Sequence, residues 1–169
     1  ALRESEERLR LAQQAGQIGV FEWNVQTGIN IWTPELETMY GLKPGEFAQT
    51  QQAWEAFLYS ADRNEALHGV DEAFASGAPT MREFRIRRPD GTIRWIAGRW
   101  QLFKDTQGQP LRLTGVNLDI TERKQAEVAL RESELRFRSF FENAAVGAAQ
   151  INAAGQFSQV NNRYCQITG

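Results

Sequence analysis

Apolar and polar positions alternate over Phe21, Trp23 and Val25, and again over Ile29 and Ile31, with Thr27-Gly28 between the two runs. Successive strand side chains point to opposite faces, so this spacing predicts a β-hairpin. Pro34 suits a first helical turn, and the segment through Met39-Tyr40 stops at Gly41, which predicts a short helix. Pro44-Gly45 predicts a turn. From about Gln52 to Ala75 the residues Trp54, Phe57, Leu58, Leu67, Val70 and Phe74 recur at helical spacing. That pattern breaks near Ser60-Ala61-Asp62 and ends at Gly77. Alternation returns at Phe84 and Ile86, set between Glu83, Arg85 and Arg87. Pro89-Asp90-Gly91 is a hairpin turn in chemical terms. It leads into a long strand from Thr92 to Phe103, a loop through Gly108 and a last strand from about Leu111 to Leu118. Two strands, several short helices and three antiparallel strands predict an α+β domain with its helices on one face of the sheet.

The chain also repeats itself. Ala1-Leu2-Arg3-Glu4-Ser5-Glu6 recurs as Ala129-Leu130-Arg131-Glu132-Ser133-Glu134, an offset of 128. At the same offset Arg8 meets Arg136, Arg10 meets Arg138, Gly19 meets Gly147, Asn24 meets Asn152 and Gly41 meets Gly169. Matches that continue past the helix argue for a duplicated unit rather than two helices of similar composition. The expected organisation is an N-terminal linker helix at 1–15, a complete domain at 16–120, a linker helix at 121–142 and the start of a second domain at 143–169. That last piece holds two strand-like segments, too few to close a core alone. In the second helix Ala126, Leu130, Ser133, Phe137, Phe140 and Ala144 are spaced 4, 3, 4, 3, 4, and Leu2, Ser5, Leu9, Ala12 and Gly16 follow the same register in the first. This is the spacing of a helix-pairing seam, though a single amphipathic helix lying on its own domain would show it too.

Charge and composition narrow the function. A net charge of −2 gives no long-range attraction to nucleic acid or anionic membrane. The arginines Arg82, Arg85, Arg87, Arg88, Arg94 and Arg99 gather on the predicted strands, but with Glu83 and Asp90 nearby they read as a solvated sheet face, with no nucleic-acid partner. No apolar run approaches the roughly 18 residues of a membrane span, so direct membrane insertion is not expected. The chain opens on a charged helical pattern rather than a signal peptide, and a cytoplasmic location is the default expectation. Cys165 is the only cysteine and His68 the only histidine, which excludes an internal disulfide and any metal cage needing two of either. There is no P-loop, glycine-rich nucleotide fingerprint or nucleophile elbow, so the chain itself is expected not to be an enzyme.

Asp119-Ile120-Thr121-Glu122 is a helix start. Asp119 can accept from orphan N–H groups of the first turn, Glu122 sits three residues on as in a capping box, and both carboxylates complement the positive helix end.

These residues carry a resemblance. Gly115-Val116-Asn117-Leu118 followed by Asp119-Ile120-Thr121-Glu122-Arg123-Lys124 resembles the end of a PAS sensor domain with its PAC segment. Glu83-Phe84-Arg85-Ile86-Arg87 with Asp90-Gly91-Thr92-Ile93-Arg94-Trp95-Ile96, and Trp32-Thr33-Pro34 leading to Met39-Tyr40-Gly41, are similar to the same family. The likeness covers roughly residues 12 to 130. Phe141 to Val146-Gly147 and Asn161-Asn162-Arg163-Tyr164 resemble the opening of another PAS domain. One departure is Leu58-Tyr59-Ser60-Ala61-Asp62-Arg63, where many relatives place His-Pro before the Asp-Arg pair.

The resemblance implies a five-stranded antiparallel sheet with helices over one face, flanked by linker helices, as in the sensory regions of bacterial histidine kinases and diguanylate cyclases. A small-molecule pocket would lie between helices and sheet, with Trp23, Met39, Phe57, Phe84 and Trp95 as candidate lining. Asp119, Ile120, Thr121 and Glu122 would couple sheet to helix, and Ala126, Leu130, Ser133 and Phe137 would pair the helix in a homodimer. In haem-binding relatives a histidine of this region ligates iron, which makes His68 the one haem candidate, although a lone histidine is more often a packing or surface residue. Cys165 lacks the flavin-adduct motif. Neither haem nor flavin is expected, and no other metal. The function implied is a sensory module of a two-component system; the alternatives are a ligand-free interaction scaffold and the sensory part of a diguanylate cyclase.

Overall fold

The computed structural model describes residues 2–168, apart from the side chains of Leu2, Glu6 and Leu9. The repeat positions Ala1 and Gly169 and the seam side chains of Leu2 and Leu9 therefore lie outside the described residues. The chain divides into two compact units after Glu122.

In the first unit, α1 (Leu2–Ala15) precedes the hairpin of β1 (Gly19–Asn24) and β2 (Asn30–Trp32). Three short helices follow: α2 (Pro34–Met39), α3 (Gln51–Glu55) and α4 (Arg63–Ser76). Pro34 stands in the first turn of α2, the Thr50 hydroxyl accepts from the Ala53 N–H to cap α3, and Gly77 ends α4 in the left-handed region. The long strands β3 (Thr80–Arg87), β4 (Ile93–Lys104) and β5 (Pro110–Asp119) complete the unit, and α5 (Thr121–Asn143) begins after a single intervening residue.

The five strands form one antiparallel sheet in the order β2-β1-β5-β4-β3. The helices cover one face. Phe84, Ile86, Ile96, Trp100, Leu102 and Leu113 point into that side and are buried with Leu36, Tyr40 and Trp54 from the helical segment. The edge strand β3 is shielded by the chain before α4: the Tyr59 N–H donates to the Arg85 carbonyl and the Arg87 N–H donates to the Phe57 carbonyl. This is the stretch where the sequence departs from the His-Pro pattern.

Close packing of α2 on β1 depends on Gly19. A Cβ there would stand 2.7 Å from the Leu36 Cβ, inside any real contact distance.

The second unit is smaller. It contains most of α5, the two-stranded sheet of β6 (Ala149–Ile151) and β7 (Phe157–Val160), and α6 (Asn162–Thr168). Its centre is Asn161, which is fully buried. The Asn161 amide donates to the Phe141 and Val146 carbonyls at 2.8 and 3.0 Å, and its carbonyl accepts from the Ala148 and Tyr164 N–H groups at 2.9 and 2.8 Å. Among the described residues no helix is long and apolar enough to cross a membrane.

Candidate functional site

Two places in the first unit concentrate buried polar groups. One is a cavity of about 20 Å³ between sheet and helices, lined by Asn30, Trp32 and Leu36 on one side and by Phe84, Trp100 and Asn117 on the other. That volume is room for about one water molecule. Beside it, Tyr40 is fully buried and its hydroxyl oxygen accepts from the Trp54 indole N–H at 3.3 Å and from the Asn117 amide at 3.2 Å. Burial pushes the Tyr40 hydroxyl above its ordinary pKa, against the two hydrogen bonds, so it stays protonated across the physiological range. The Asn30 and Asn117 side-chain carbonyls have no hydrogen-bond partner, although both residues are about as buried as the core. An unmade buried bond costs about 1–3 kcal/mol, so these two acceptors mark the cavity as chemically unfinished.

Of the five residues expected in a pocket, Phe84 lines this cavity. Trp23 sits further along β1, tilted against Phe74 of α4. Met39 is buried at the end of α2, and Phe57 meets the Tyr40 ring edge-on at 5.4 Å. Trp95 occupies the opposite face of the sheet, where the Arg85 guanidinium stacks 5.1 Å from its ring. Asn30 and Asn117 were not among the expected residues. Nothing in the sequence signals them: Asn30 lies between Ile29 and Ile31 and Asn117 between Val116 and Leu118, so alternation assigns both amides to the polar face. His68 is exposed on α4 and lines neither this cavity nor the nearby recesses. Cys165 is exposed on α6.

The other place is the exit from β5. The Ile120 N–H donates to the Trp95 carbonyl at 2.9 Å, and the Trp95 N–H donates to the Thr121 hydroxyl oxygen at 2.9 Å. That hydroxyl donates in turn to Asp119 Oδ1 at 2.5 Å, which also accepts from the Thr121 N–H at 2.9 Å. Ile120 and Thr121 are both buried. Asp119 thus acts as the expected first-turn acceptor. Glu122 does not: it is exposed, and its side chain makes no hydrogen bond among the described residues, so the reciprocal half of a capping box is missing.

Arg88 supports the same exit. Its Nε donates to the Met39 carbonyl at 2.9 Å, at the end of α2, and its Nη2 lies 3.8 Å from Asp119 Oδ2. Arg94 reaches the same oxygen at 4.0 Å. Burial lowers the Arg88 pKa, with Arg94 adding to the effect and Asp119 opposing it. Others of the arginine group also meet acids: Arg85 pairs with Asp62, and Arg82 with Glu72 and Glu65.

On α5, the seam positions Leu130 and Phe137 are 62% and 51% exposed, Ala126 and Ser133 are exposed as well, and Phe137 stacks on Phe141 within the helix.

Comparison with known proteins matches the chain to one family. The model of the PAS fold matches residues 29–117. The probable diguanylate cyclase DgcE of Escherichia coli is 30% identical over 92% of this chain and 14% of its own length. The sensor protein FixL of Bradyrhizobium diazoefficiens is 26% identical over 79% of this chain and 26% of its own. The chain thus spans about a quarter or less of these relatives. Among solved structures, a sensory box histidine kinase/response regulator from Burkholderia thailandensis superposes with a TM-score of 0.67 at 28% identity, over 78% of this chain and 98% of that one. The N-terminal domain of a diguanylate cyclase with a PAS/PAC sensor from Marinobacter aquaeolei superposes with a TM-score of 0.58 at 19% identity, over 63% and 98%. With the sheet order, the helix-covered face and the matched segment in agreement, the chain belongs to the PAS fold family of sensory domains.

Proposed function

We propose that this chain is the sensory module of a bacterial signalling protein, a sensor histidine kinase, and that it converts a change in its core into a change at the start of α5. The carrying observation is the pair of hydrogen bonds at Trp95, which ties β4 to Ile120 and to Thr121, the first residue of the outgoing helix. A small molecule in the core is the proposed signal. The exposed stripe on α5 is the proposed homodimer seam, at the cost of ordering two helices that would be marginal alone. The chain carries no catalytic activity of its own in this reading, works in the cytoplasm, and touches neither nucleic acid nor lipid.

The second unit is proposed as the beginning of another PAS domain. Its internal bonds repeat those of the first at the offset of 128. The Val20 N–H donates to the Thr33 hydroxyl, and the Ala148 N–H donates to the Asn161 carbonyl. Asn24 accepts from the Gln26 N–H, and Asn152 from the Ala154 N–H. A Cβ on Gly19 would strike Leu36, and one on Gly147 would approach the Tyr164 Cα at 3.0 Å.

The coverage of this chain by DgcE favours a second reading, the sensory part of a diguanylate cyclase. The small size of the resting cavity favours a third, a ligand-free scaffold. Absorbance and native mass spectrometry of freshly purified chain separate sensing from scaffolding: a bound molecule supports the sensor, and a clean apo mass supports the scaffold. Coupling is tested with Asp119→Ala and Thr121→Ala in the full-length protein. The expected result is a domain that stays folded in a melt while its output no longer follows the signal. Parallel loss of folding and output would refute a dedicated coupling role.

A further inference from the structure

The core cavity has a neighbour. An open recess of about 440 Å³ lies between β1 and the helices α3 and α4, with Trp23, Leu67 and Phe74 as its apolar walls and Asp71 among its lining. The two spaces share Gln51 and Val70. Gln51 opens α3, a helix of five residues, and Val70 lies on the buried face of α4. The indole N–H of Trp23, one of the walls, is buried and has no partner.

We propose that cavity and recess are two chambers of one binding site, gated by Gln51 and Val70, for a neutral molecule with a hydrogen-donating group at one end and a flat apolar body. This rests on the core-sensing reading and gives it a ligand class and an entry path. The inner chamber offers Asn30 and Asn117 as acceptors; a hydroxyl entering it donates to one of them, and a primary amide has a donor for each. A carboxylate is rejected twice, because it brings only acceptors to those two oxygens and must pass Asp71 at the recess, where Glu55 is already paired with Arg63. The outer chamber gives the rest of the molecule an aromatic wall, where the Trp23 and Phe74 ring centroids stand 5.8 Å apart. In the resting fold the inner chamber takes about one water, so occupancy requires the Gln51 side chain to swing aside and join the two spaces. Leu36 on α2 and Leu113 on β5 both line the inner chamber, so a ligand seated there bears on α2 and on the strand that leads to Asp119.

The test uses benzyl alcohol, toluene and benzoate as probes on the 169-residue chain, read by NMR at the Asn30 and Asn117 side-chain amides and the Trp23 indole. Benzyl alcohol is expected to shift all three signals, to bind about tenfold more tightly than toluene, and to outcompete benzoate, the tenfold being a typical value for one buried hydrogen bond. Asn30→Leu should remove the advantage of benzyl alcohol over toluene. The comparison of probes on the unaltered chain stands even if that variant fails to fold. Shifts confined to Trp23, equal affinity for toluene, or a preference for benzoate overturn the proposal. If no probe binds but native mass spectrometry finds a bound molecule, the two-chamber site fails while core sensing stands. If neither appears, both fail.

Discussion

Asp62 and Arg85 illustrate how much one pair of side chains can carry. Arg85 donates to Asp62 through Nε at 2.8 Å and Nη2 at 2.5 Å, and the Arg85 backbone N–H adds a third bond at 2.8 Å. The guanidinium is stacked on Tyr59 as well. These bonds, led by the side-chain one, hold the Asp62 carboxyl below its ordinary pKa. A carboxyl depressed in the folded state adds stability above its unfolded value, near 4, and that stability is lost as the pH falls through the folded value. Asp62→Asn should therefore destabilise the domain by about 1–3 kcal/mol at pH 7, and the gap from the parent should shrink towards pH 2. Denaturant unfolding at both pH values checks this, and an equal gap at each would refute it. At this scale the bonds that start α5 were legible, because Asp119 and Thr121 form a local motif read within three positions. Asn30 and Asn117 were not. They meet across 87 residues of chain, and nothing local announces that both amides will face one cavity.

At the scale of elements, the strand pattern was readable but its phase was not. Ile31 of β2 and Ile29 just before it are 55% and 47% exposed, while Asn30 and Trp32 are buried. The stacking of Trp32 on Phe47, with ring planes 11° apart, outweighs the burial of two isoleucines at a sheet edge. Trp95 falls outward for the same kind of reason, since Ile96, Trp100 and Leu102 claim the inner face of β4. Hydrophobicity alone does not choose between two faces when both carry large apolar residues. The α2–β1 contact yields a prediction here. Gly19→Ala must displace Leu36, and overpacking of this kind costs about 1–3 kcal/mol. Chemical denaturation of the variant should show that loss in the first unit, and an unchanged midpoint would mean that α2 can back away from the strand.

At the scale of the whole molecule, the two units differ in what holds them. The first is built on a cluster running from Trp32 to Leu113, whereas among the described residues of the second the buried ones are Phe141 and Asn161. Burial of apolar area is the main source of stability, so the second unit should open at lower free energy. Hydrogen exchange should report fast exchange in β6, β7 and α6 and the slowest amides in β4 and β5. Equal protection in both units would point to stabilising contacts that a partner or another copy supplies. The repeat behind this division was visible in the sequence from paired residues 128 apart, and its reach into Asn161 was not, because Thr33 and Asn161 do the same task with different chemistry.

If the exit couples as proposed, the tie at Trp95 makes it a detent rather than a dial. Trp95 offers one donor and one acceptor to the departing chain, and both are taken. Sliding the chain by one position would turn a buried Ile120 outward and bring a backbone group of the wrong sense to each bond. Under the proposed coupling role, Ile120 and Thr121 are either latched or released, and small strains in the sheet reach α5 only when that catch lets go.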